Sequence, residues 1–588
     1  MDLEKIKDKK LILVDNFNFL IDNKINYKNS DVVTFLPNDI TDKSVINFYS
    51  LINEKFHKNY EDKLETITGD FYKSLDFDLA LKKNITRLFY GNVGVFPIFN
   101  VIENLLRNNN TIKLYTKEKK INQIFEFFKG DNNLKIHFIN QSKKDLSNYY
   151  KISKFDIIRL LHFNEIIFLL KKKFYPPFKK LEKLKKNVFI HLSSESNFRI
   201  LDFYLNTKWQ SKLLEINVSK NIQNTKIDDD PKILNILNSL DIIVKSHFFN
   251  NKYFYKYLVN ESKNFLDDYN FTYQKISKIF ENLNSKFYFL TKIIRGPLAT
   301  ALYDYGKRNN KNFTWISHQH GHGIEISNVH KKSEITKEET LADFLFVYSS
   351  IGKNERSNNK FINPKIKISE IGFWNNSKII KKIPNHKIIY ISNLNQEIGP
   401  HEINMSSLNN YQKIEFETEL ILKVFSKCKY KVLFKDYPGN KSSEIKKDYF
   451  EKISEKYNNV IYFNKWLNAE NIYGKSSIII TSLPTSGIVA AINTNKPLIF
   501  INIEKMIPLK QDIKDEFKKF FFYFEYNKNL NNELSNFLSK ELSEIESLWQ
   551  SKMSEPRKRF IKKYFNIEPQ EKVIKKIKKE ISEIVVDS

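Results

Sequence analysis

Short apolar runs rich in β-branched and aromatic residues recur along the chain between longer amphipathic stretches. This alternation is typical of parallel sheets whose faces are covered by helices. In the first half of the chain it predicts strands at Leu11–Val14, Val32–Phe35, Thr86–Tyr90, Ile112–Tyr115, Lys135–Phe138, Val188–Ile190, Ile242–Val244 and Phe313–Ser317. The amphipathic stretches Pro97–Arg107 and Lys120–Phe128 lie between them and are predicted to be helical.

The second half repeats the alternation more regularly, and most of its gaps are long enough for a crossover helix. The predicted strands are Phe344–Tyr348, Lys387–Ser392, Lys431–Phe434, Val460–Phe463, Ser477–Thr481 and Leu498–Asn502. Such a succession indicates a Rossmann-like domain. From about Asn532 onward the chain is highly charged and predicted to be helical.

The pattern as a whole predicts an α/β fold of two Rossmann-like domains that face a cleft, with a helical C-terminal tail. The charged stretch Lys331–Glu339 lacks apolar periodicity and is the predicted linker. The predicted units are residues 1–330, 340–530 and 531–588. Because ligands of such sheets bind outside the carboxyl ends of the strands, the loops that follow strands are where chemistry is expected.

The net charge of +28 suggests nucleic acid at first sight, but its composition argues against that partner. Most of the positive charge is lysine, whereas bidentate recognition of phosphate or guanine favours arginine. Arginine occurs only at Arg87, Arg107, Arg159, Arg199, Arg295, Arg308, Arg356, Arg557 and Arg559. We therefore expect no nucleic-acid partner, and a weak attraction to anionic lipid headgroups and anionic nucleotides.

Cellular location is indicated by what the sequence lacks. Cys428 is the single cysteine, which excludes a disulfide framework and a cysteine-based zinc site. The first residues do not form a signal peptide, and no apolar run approaches the ~18–20 residues of a membrane span. The apolar, basic-ended segment Ile157–Lys173 is read as a core helix, with an interfacial membrane helix as the alternative. The expected location is the cytoplasm, with peripheral contact to the inner membrane.

The densest candidate chemistry is the run Ser317–Gly323 (SHQHGHG), which directly follows a predicted strand. Histidine supplies a general acid or base near neutral pH, and glycine lets the backbone approach a ligand closely. A tight turn with inert imidazoles is the structural alternative, and three histidines in one loop argue against it. A metal is disfavoured because no cysteine and no dense carboxylate cluster adjoins the histidines.

A second candidate is the hydroxyl-rich loop that separates the strand Ser477–Thr481 from an apolar helix. It contains Ser482, Thr485, Ser486 and Gly487. Hydroxyls and backbone N–H groups at a helix N-terminus can hold a phosphate without a metal. Ordinary N-capping requires only one of these side chains.

Three further positions carry weaker signals. Lys435 and Pro438 belong to a post-strand turn (KDYPG) in which the lysine could meet a phosphate. Asn393 follows another strand and is a candidate donor contact. Arg295 is a candidate for an anionic group because arginine is so scarce in this chain. For each of them an ordinary turn, surface loop or salt bridge is an equal alternative.

These motifs together resemble bacterial GT-B surface-polysaccharide glycosyltransferases. The resemblance rests on a strand ending in Gln-His-Gly, then Lys-x-x-Pro, then a Ser/Thr-rich loop before Ala-x-x-x-x-Lys-Pro, over about residues 316–502. It is closest to the O-antigen-locus transferases and more distant to capsule Kdo transferases and teichoic acid glycerophosphotransferases. Gln319, His320 and Gly321 match the first motif, whereas His318 and His322 are additions to it.

The resemblance implies an enzyme that transfers a sugar from a nucleotide-activated donor, such as a CMP-linked nonulosonic acid or Kdo, to a glycan or lipid-linked acceptor. It places the acceptor on residues 1–330 and the nucleotide on residues 340–530. His320, His318 and Gln319 are the expected catalytic residues. Gly321, His322, Arg295, Asn393, Lys435, Pro438, Ser482, Thr485, Ser486 and Gly487 are expected to bind substrate. No metal or cofactor is expected. The alternatives are a non-catalytic scaffold of a polysaccharide assembly complex and a polyol-phosphate transferase.

Overall fold

The fold is described from a computed structural model of the chain. It describes residues 6–15, 24–25, 29–35, 45–51, 64, 66–116, 119–138, 186–192, 197–214, 216, 231–244, 251–291, 294–319, 321, 323–328, 340–374, 383–392, 410–436, 444–464, 469–552 and 555–587. Two expectations lie outside these ranges, namely the segment Ile157–Lys173 and the linker Lys331–Glu339.

Strands form three sheets, and every pairing between them is parallel. The first sheet contains β1 (Lys10–Val14), β2 (Asp31–Thr34), β3 (Val45–Asn47), β4 (Thr111–Thr116) and β5 (Leu134–Phe138). The middle sheet contains β6 (Asn187–His191), β7 (Gln210–Leu213), β8 (Lys286–Thr291), β9 (Phe313–His318), β10 (Phe344–Val347) and β11 (Lys367–Glu370). The C-terminal sheet contains β12 (Ile388–Ile391), β13 (Val432–Lys435), β14 (Val460–Phe463), β15 (Ile478–Thr481), β16 (Leu498–Asn502) and β17 (Phe522–Glu525).

Helices connect and cover these strands. Those of the first two sheets are α1 (Leu79–Asn92), α2 (Phe96–Arg107), α3 (Lys119–Glu126), α4 (Asp202–Lys208), α5 (Pro231–Val244), α6 (Lys252–Phe280), α7 (Gly296–Arg308), α8 (Gly323–Ile326) and α9 (Ser350–Ser357). The C-terminal sheet adds α10 (Asn410–Glu419), α11 (Glu444–Ser454), α12 (Glu470–Tyr473), α13 (Ser486–Asn493), α14 (Gln511–Phe520), α15 (Leu530–Leu538), α16 (Leu542–Ser551), α17 (Glu555–Phe565) and α18 (Gln570–Asp587). Short 3-10 turns occupy Phe48–Leu51, Val93–Val95, Asn197–Leu201 and Phe425–Lys427, and a π-helical turn occupies Leu420–Val424.

The order of strands identifies the point in each sheet at which successive strands are added on the opposite side. The C-terminal order is β14-β13-β12-β15-β16-β17, which is the 3-2-1-4-5-6 arrangement of the Rossmann fold. The first sheet, β3-β2-β1-β4-β5, follows the same scheme with one strand fewer, and the middle sheet runs β11-β10-β9-β8-β6-β7. In the C-terminal sheet the reversal falls between β12 and β15. The crevice for a ligand is therefore expected at the carboxyl ends of these two strands.

The α/β class, the Rossmann-like parallel sheets and the helical C-terminal region are confirmed. The structure differs from the prediction in having a third sheet, because β10 and β11 continue the sheet of β6–β9. The run Phe344–Tyr348 was assigned to the C-terminal domain but pairs with β9. The change of sheet falls between Glu370 and Ile388 and not at residues 331–339. Strand alternation alone does not reveal which sheet a strand joins.

Two predicted strands are wrong. Thr86–Tyr90 lies inside α1, where Leu81, Ile85 and Phe89 recur at four-residue spacing and are buried. Ile242–Val244 forms the end of α5, whose Ile236 and Leu240 are likewise buried at that spacing. In both places helical periodicity over a longer window outweighs the local preference of β-branched and aromatic residues for strands.

Helix α18 carries the C-terminus of the chain back onto the middle sheet. Val573, Ile577, Ile581 and Ile584 recur at spacings of three or four residues and pack against the face formed by residues of β6, β8, β9 and β10. Just before it, Phe373 and Ile567 form a parallel bridge, and Asn566 Nδ2 donates to Tyr348 O at 3.0 Å. The last helix of the tail therefore completes the core of the middle sheet.

Within the described residues, no single helix combines the length and the apolar character that a membrane crossing requires. Only α1 and α2 taken together reach them, and the two are bent by 47°.

The role of α18 leads to a prediction. Ile577 is 1% exposed, so Ile577→Ala should leave a cavity and lower the free energy of unfolding by about 2–5 kcal/mol. Urea unfolding would measure it, with the exposed Lys575→Ala expected to lie within about 0.5 kcal/mol of the unaltered protein. Equal midpoints for both variants would contradict this account of the helix.

Candidate functional site

His318 ends β9 and lies within a ring of aromatic side chains. Its ring meets Phe198, Tyr348 and Trp374 edge-on, with centroids 6.0, 5.1 and 5.6 Å away. The side chain is only 1% exposed, and Nδ1 lies 2.8 Å from the carbonyl oxygen of Gln319. Because a carbonyl only accepts, this contact assigns the ring proton to Nδ1.

Gln319 uses both ends of its amide within the protein. Its Nε2 donates to Gly321 O and to Glu325 Oε1, each at 2.6 Å, and its Oε1 accepts from Tyr348 N at 2.9 Å. The hydroxyl of Tyr348 donates to Gln319 O at 2.9 Å. A side chain held in this way positions the loop, so we read Gln319 as a positioning residue.

Glu325, in α8, is the buried carboxylate of this network and was not anticipated from the sequence. It is fully buried, and its Oε1 lies 3.7 Å from Nη1 of Arg356, which is itself 5% exposed. Burial raises the pKa of Glu325, and the charge of Arg356 and the amide of Gln319 oppose that rise. A Cβ on Gly352 would clash with Glu325 Oε1, so glycine at this position leaves room for the carboxylate.

The run Ser317–Gly323 is called the histidine loop below. The residues that follow it contact the C-terminal half of the chain. Ser327 forms an antiparallel bridge with Leu509, and Asn328 N donates to Pro508 O at 2.9 Å. Lys510 N donates to Ile326 O at 3.0 Å. The loop thus begins on the middle sheet and ends against the segment that follows β16.

Of the other residues predicted near this loop, Gly321 supplies the carbonyl that Gln319 contacts. Arg295 is exposed and lies between β8 and α7, beyond the carboxyl end of a strand adjacent to β9. His320 and His322 lie outside the described residues. The structure therefore brings Gln319, Gly321 and His318 together and places Arg295 at the same edge of the middle sheet.

The carboxyl edge of the C-terminal sheet is organised by a buried lysine, Lys446 of α11. Its ammonium is 2.9 Å from Asp436 Oδ1, 3.7 Å from Glu417 Oε2 and 2.9 Å from Ser392 Oγ. Both carboxylates and the ammonium are fully buried. Tyr462 donates to Asp436 Oδ2 at 2.7 Å.

The same network reaches the hydroxyl-rich loop. Tyr390 of β12 donates to Glu417 Oε1 at 3.2 Å and shares a hydrogen bond with the hydroxyl of Ser482. The loops after β12, β13 and β15, which meet at the reversal of strand order, are therefore held by one set of buried polar groups. Sequence gave little sign of Lys446 and Glu417, because each belongs to a charged helix that looks solvated.

Lys435 ends β13 and is enclosed, at 1% exposure. Its ammonium donates to the backbone oxygen of Asp436 and lies 5.9 Å from the Phe463 ring centre. Burial lowers the pKa of Lys435 to about 8, which Lys446 reinforces and Asp436 opposes. In this arrangement Lys435 influences the sheet edge through its charge, since its ammonium is not exposed to solvent.

The hydroxyl-rich loop takes the predicted strand–loop–helix form, with α13 starting at Ser486. Ser482 is buried, whereas Thr485 is half-buried at the N-cap and its hydroxyl makes no capping hydrogen bond. A Cβ on Gly487 would meet only the Tyr473 hydroxyl, at 3.7 Å, so packing does not require this glycine. Asn393, Pro438 and the side chain of Ser486 lie outside the described residues.

No group of three or more His, Cys, Asp or Glu side chains arranged to hold an ion occurs in the part of the chain that the structure describes. Two histidines of the loop lie outside that part.

Comparison with known proteins gives a likeness of structure only. The sequence matches no protein-family model and no curated protein. The S. aureus MnaA–UDP structure is 11% identical, with a TM-score of 0.36, covering 63% of this chain and 92% of its own. Anabaena Alr3699/HepE, solved with UDP-glucose, is 9% identical, with a TM-score of 0.35, covering 68% and 99%. TcCGT1, solved with UDP, is 9% identical, with a TM-score of 0.35, covering 63% and 94%. Likeness at this level carries no inference about activity.

The buried carboxylate predicts a specific pH dependence. Because burial raises the pKa of Glu325, the folded protein keeps its proton where the unfolded chain, with a pKa of about 4.3, releases it. Its contribution to stability therefore falls as pH rises above that value. Glu325→Gln should remove this fall, so that the variant gains melting temperature relative to the unaltered protein as the pH rises above about 4.5.

Melting curves across this pH range would measure the difference. The control is Glu583→Gln, because the Glu583 side chain is 56% exposed and its replacement should leave the pH dependence unchanged. Parallel curves for Glu325→Gln and the unaltered protein would show that Arg356 keeps Glu325 ionised and would refute the prediction.

Proposed function

We propose that this protein is a glycosyltransferase that moves a sugar from a nucleotide-activated donor to a surface-polysaccharide or glycolipid acceptor. The observation that carries the proposal is the C-terminal sheet, whose strand order reverses between β12 and β15 with a hydroxyl-rich loop at that point. The histidine loop begins on the middle sheet and supplies candidate chemistry, and the residues that follow it bridge to residues 508–510 of the C-terminal half.

The donor phosphates are proposed to lie at the N-terminus of α13. Backbone N–H groups and the positive end of the helix dipole favour an anion there. The hydroxyl of Thr485, which makes no capping bond, adds a donor, and Gly487 leaves its backbone open to close approach. The buried Lys435 adds positive charge to this edge. In this proposal the phosphate needs no metal ion or cofactor.

The acceptor hydroxyl is proposed to lose its proton to His320. His318 is the second candidate, but its 1% exposure and its aromatic ring of neighbours favour a supporting role. Gln319 and Glu325 would hold the loop in place, and His322 and Arg295 would contact the substrate. Acceptors of this class are borne by glycans or lipids, which fits peripheral contact of a basic protein with an anionic membrane.

A CMP-linked acidic sugar is the proposed donor, because the chain is strongly basic and resembles transferases of that type. Polyol-phosphate transfer would use the same phosphate site with a different transferred group. A non-catalytic scaffold would bind a nucleotide without turnover or would not bind one. The histidine loop favours the enzyme over the scaffold.

The donor site can be tested by thermal melting with CMP, CDP, UDP, GDP and ADP in the absence of divalent metal. One nucleotide should raise the melting temperature selectively. At a concentration of 100 times its dissociation constant it should increase the free energy of unfolding by about 2.7 kcal/mol. Gly487→Ala should melt at least as high as the unaltered protein without nucleotide, because its Cβ has space and alanine favours helix. It should nevertheless lose the nucleotide shift.

Gly69→Ala is the matched control, since Gly69 also lies in helical backbone and has nothing within 4 Å of an added Cβ. It should keep the full nucleotide shift. No shift for any nucleotide with the folded protein would overturn the donor site and favour the scaffold.

The catalytic base can be tested once that nucleotide is known, by following release of the nucleotide from its sugar conjugate. His320→Ala should slow release about 10²–10⁴-fold while keeping the nucleotide-induced thermal shift. The exposed His137→Ala serves as control and should leave the rate unchanged. A rate near normal in folded His320→Ala would remove His320 from the mechanism and turn attention to His318.

A further inference from the structure

Arg557, in the first turn of α17, is a buried cation that lies against aromatic rings. Its side chain is 1% exposed, and its guanidinium carbon lies 3.8 Å from the centre of the Trp549 ring and 5.9 Å from that of Phe521. Nε and Nη1 are buried and have no hydrogen-bond acceptor among the residues that the structure describes. Burial lowers the pKa of Arg557 to about 10, so the group stays charged at neutral pH.

A buried charge of this kind calls for a counter-charge. Transfer of a cation from water to the protein interior is unfavourable unless it is paired, and an unpaired buried polar group needs an explanation, of which a bound ion is one. Among the residues that the structure describes, no carboxylate forms an ion pair with Arg557. Stacking on Trp549 offsets part of the loss of hydration and supplies no acceptor for Nε or Nη1.

A cavity of about 400 Å³ lies against the same aromatic wall. It is lined by Lys518, Phe521, Phe522, Tyr523, Phe524, Glu525 and Lys552. Phe521 belongs both to this lining and to the surroundings of Arg557. Lys552 is electrostatically coupled to the guanidinium, because burial first and then the charge of Arg557 lower its pKa.

The balance of charge around the cavity is positive. Lys518 and Lys552 line it, and the guanidinium carbon of Arg557 lies 5.9 Å from the ring centre of Phe521, which also lines it. Glu525 is the acidic residue of the lining, and it is already engaged by Lys514 at 3.3 Å and by Asn502 Nδ2 at 2.8 Å. Lys518 lies 3.9 Å from Glu525, while Lys552 Nζ donates to the carbonyl of Lys519 at 3.3 Å.

We propose that this cavity is a phosphate-binding site, in which Lys518 and Lys552 contact the anion. The charge of Arg557 attracts the anion without direct contact. The aromatic side chains would contact the organic part of a phosphorylated ligand. A field from a desolvated cation is screened less than one from a surface lysine, which strengthens the attraction. The site adjoins edge strand β17 and so differs from the donor site at β12 and β15, and it does not depend on the proposed transfer reaction.

The test compares Arg557→Met with Arg559→Met, a neighbour on α17 whose side chain is exposed. In phosphate-free buffer Arg557→Met should melt at the same or a higher temperature, since methionine removes an uncompensated buried charge. Titration with inorganic phosphate should stabilise the unaltered protein and Arg559→Met in a saturable manner. The apparent affinity should be at least 10-fold weaker in Arg557→Met.

Lys552→Gln provides a second variant that leaves the buried stack of Arg557 and Trp549 intact, and it should also weaken phosphate binding. The proposal fails if Arg557→Met melts lower in phosphate-free buffer and phosphate stabilises all four proteins equally. That result would assign Arg557 to packing alone. It also fails if Arg557→Met does not fold and Lys552→Gln binds phosphate normally.

The source of the phosphate can be separated by two probes. Adenosine monophosphate represents a soluble ligand, and vesicles of phosphatidylglycerol in phosphatidylcholine represent a lipid headgroup. Arg557-dependent stabilisation by the nucleotide would identify a soluble ligand. Arg557-dependent co-flotation with the vesicles would identify a lipid surface, and absence of both together with absence of phosphate binding would overturn the site.

Discussion

The buried ammonium of Lys446 is the interaction on which the C-terminal half of the structure depends. A lysine enclosed at this depth is tolerated only when acids and hydrogen-bond acceptors surround it. Asp436, Glu417 and Ser392 do so, and they come from the end of β13, from α10 and from the end of β12. Because Tyr390 extends the network to Ser482, the loops at the reversal of strand order share one set of constraints. The loops that form the proposed donor-phosphate site at α13 are thus held in place by buried charges that a ligand does not touch.

The histidine loop follows the same logic at the carboxyl end of β9. Gln319 and Tyr348 bond each other through side chain and backbone, and Glu325 receives the other end of the amide. Beyond Glu325 the chain pairs with residues 508–510, so the loop spans two parts of the protein. A displacement of the C-terminal sheet relative to the middle sheet would act on this loop directly, which suits the role proposed for it between donor and acceptor.

Sequence reasoning succeeded where the signal is local. Alternation predicted most strands within a residue or two, and the position of motifs after strands placed His318, Gln319 and the Ser482–Gly487 loop at sheet edges. It failed where structure depends on distant partners. Lys446 and Glu417 occur in charged stretches that resemble solvated helices, and nothing in their neighbourhood reveals that each is buried against residues far away in the chain. The third sheet escaped for the same reason, because β10 joins β9 through pairing and not through any property of its own sequence.

Two buried cations, Lys446 and Arg557, differ in whether the described part of the chain supplies their counter-charge. Lys446 is compensated by two carboxylates and a hydroxyl of the chain itself, so its burial is explained by the fold. Arg557 is buried to a similar degree but contacts aromatic rings, and within the described part of the chain its Nε and Nη1 have no acceptor. Since the cost of burying a charge is comparable in the two places, Arg557 is the one whose burial the described contacts leave unexplained, which is why we propose an anion near it. The same reasoning separates two glycines. A side chain at Gly352 would clash with Glu325, so packing explains that glycine, whereas packing does not explain the glycine at Gly487. What the protein's own contacts leave unexplained is where a ligand is best sought.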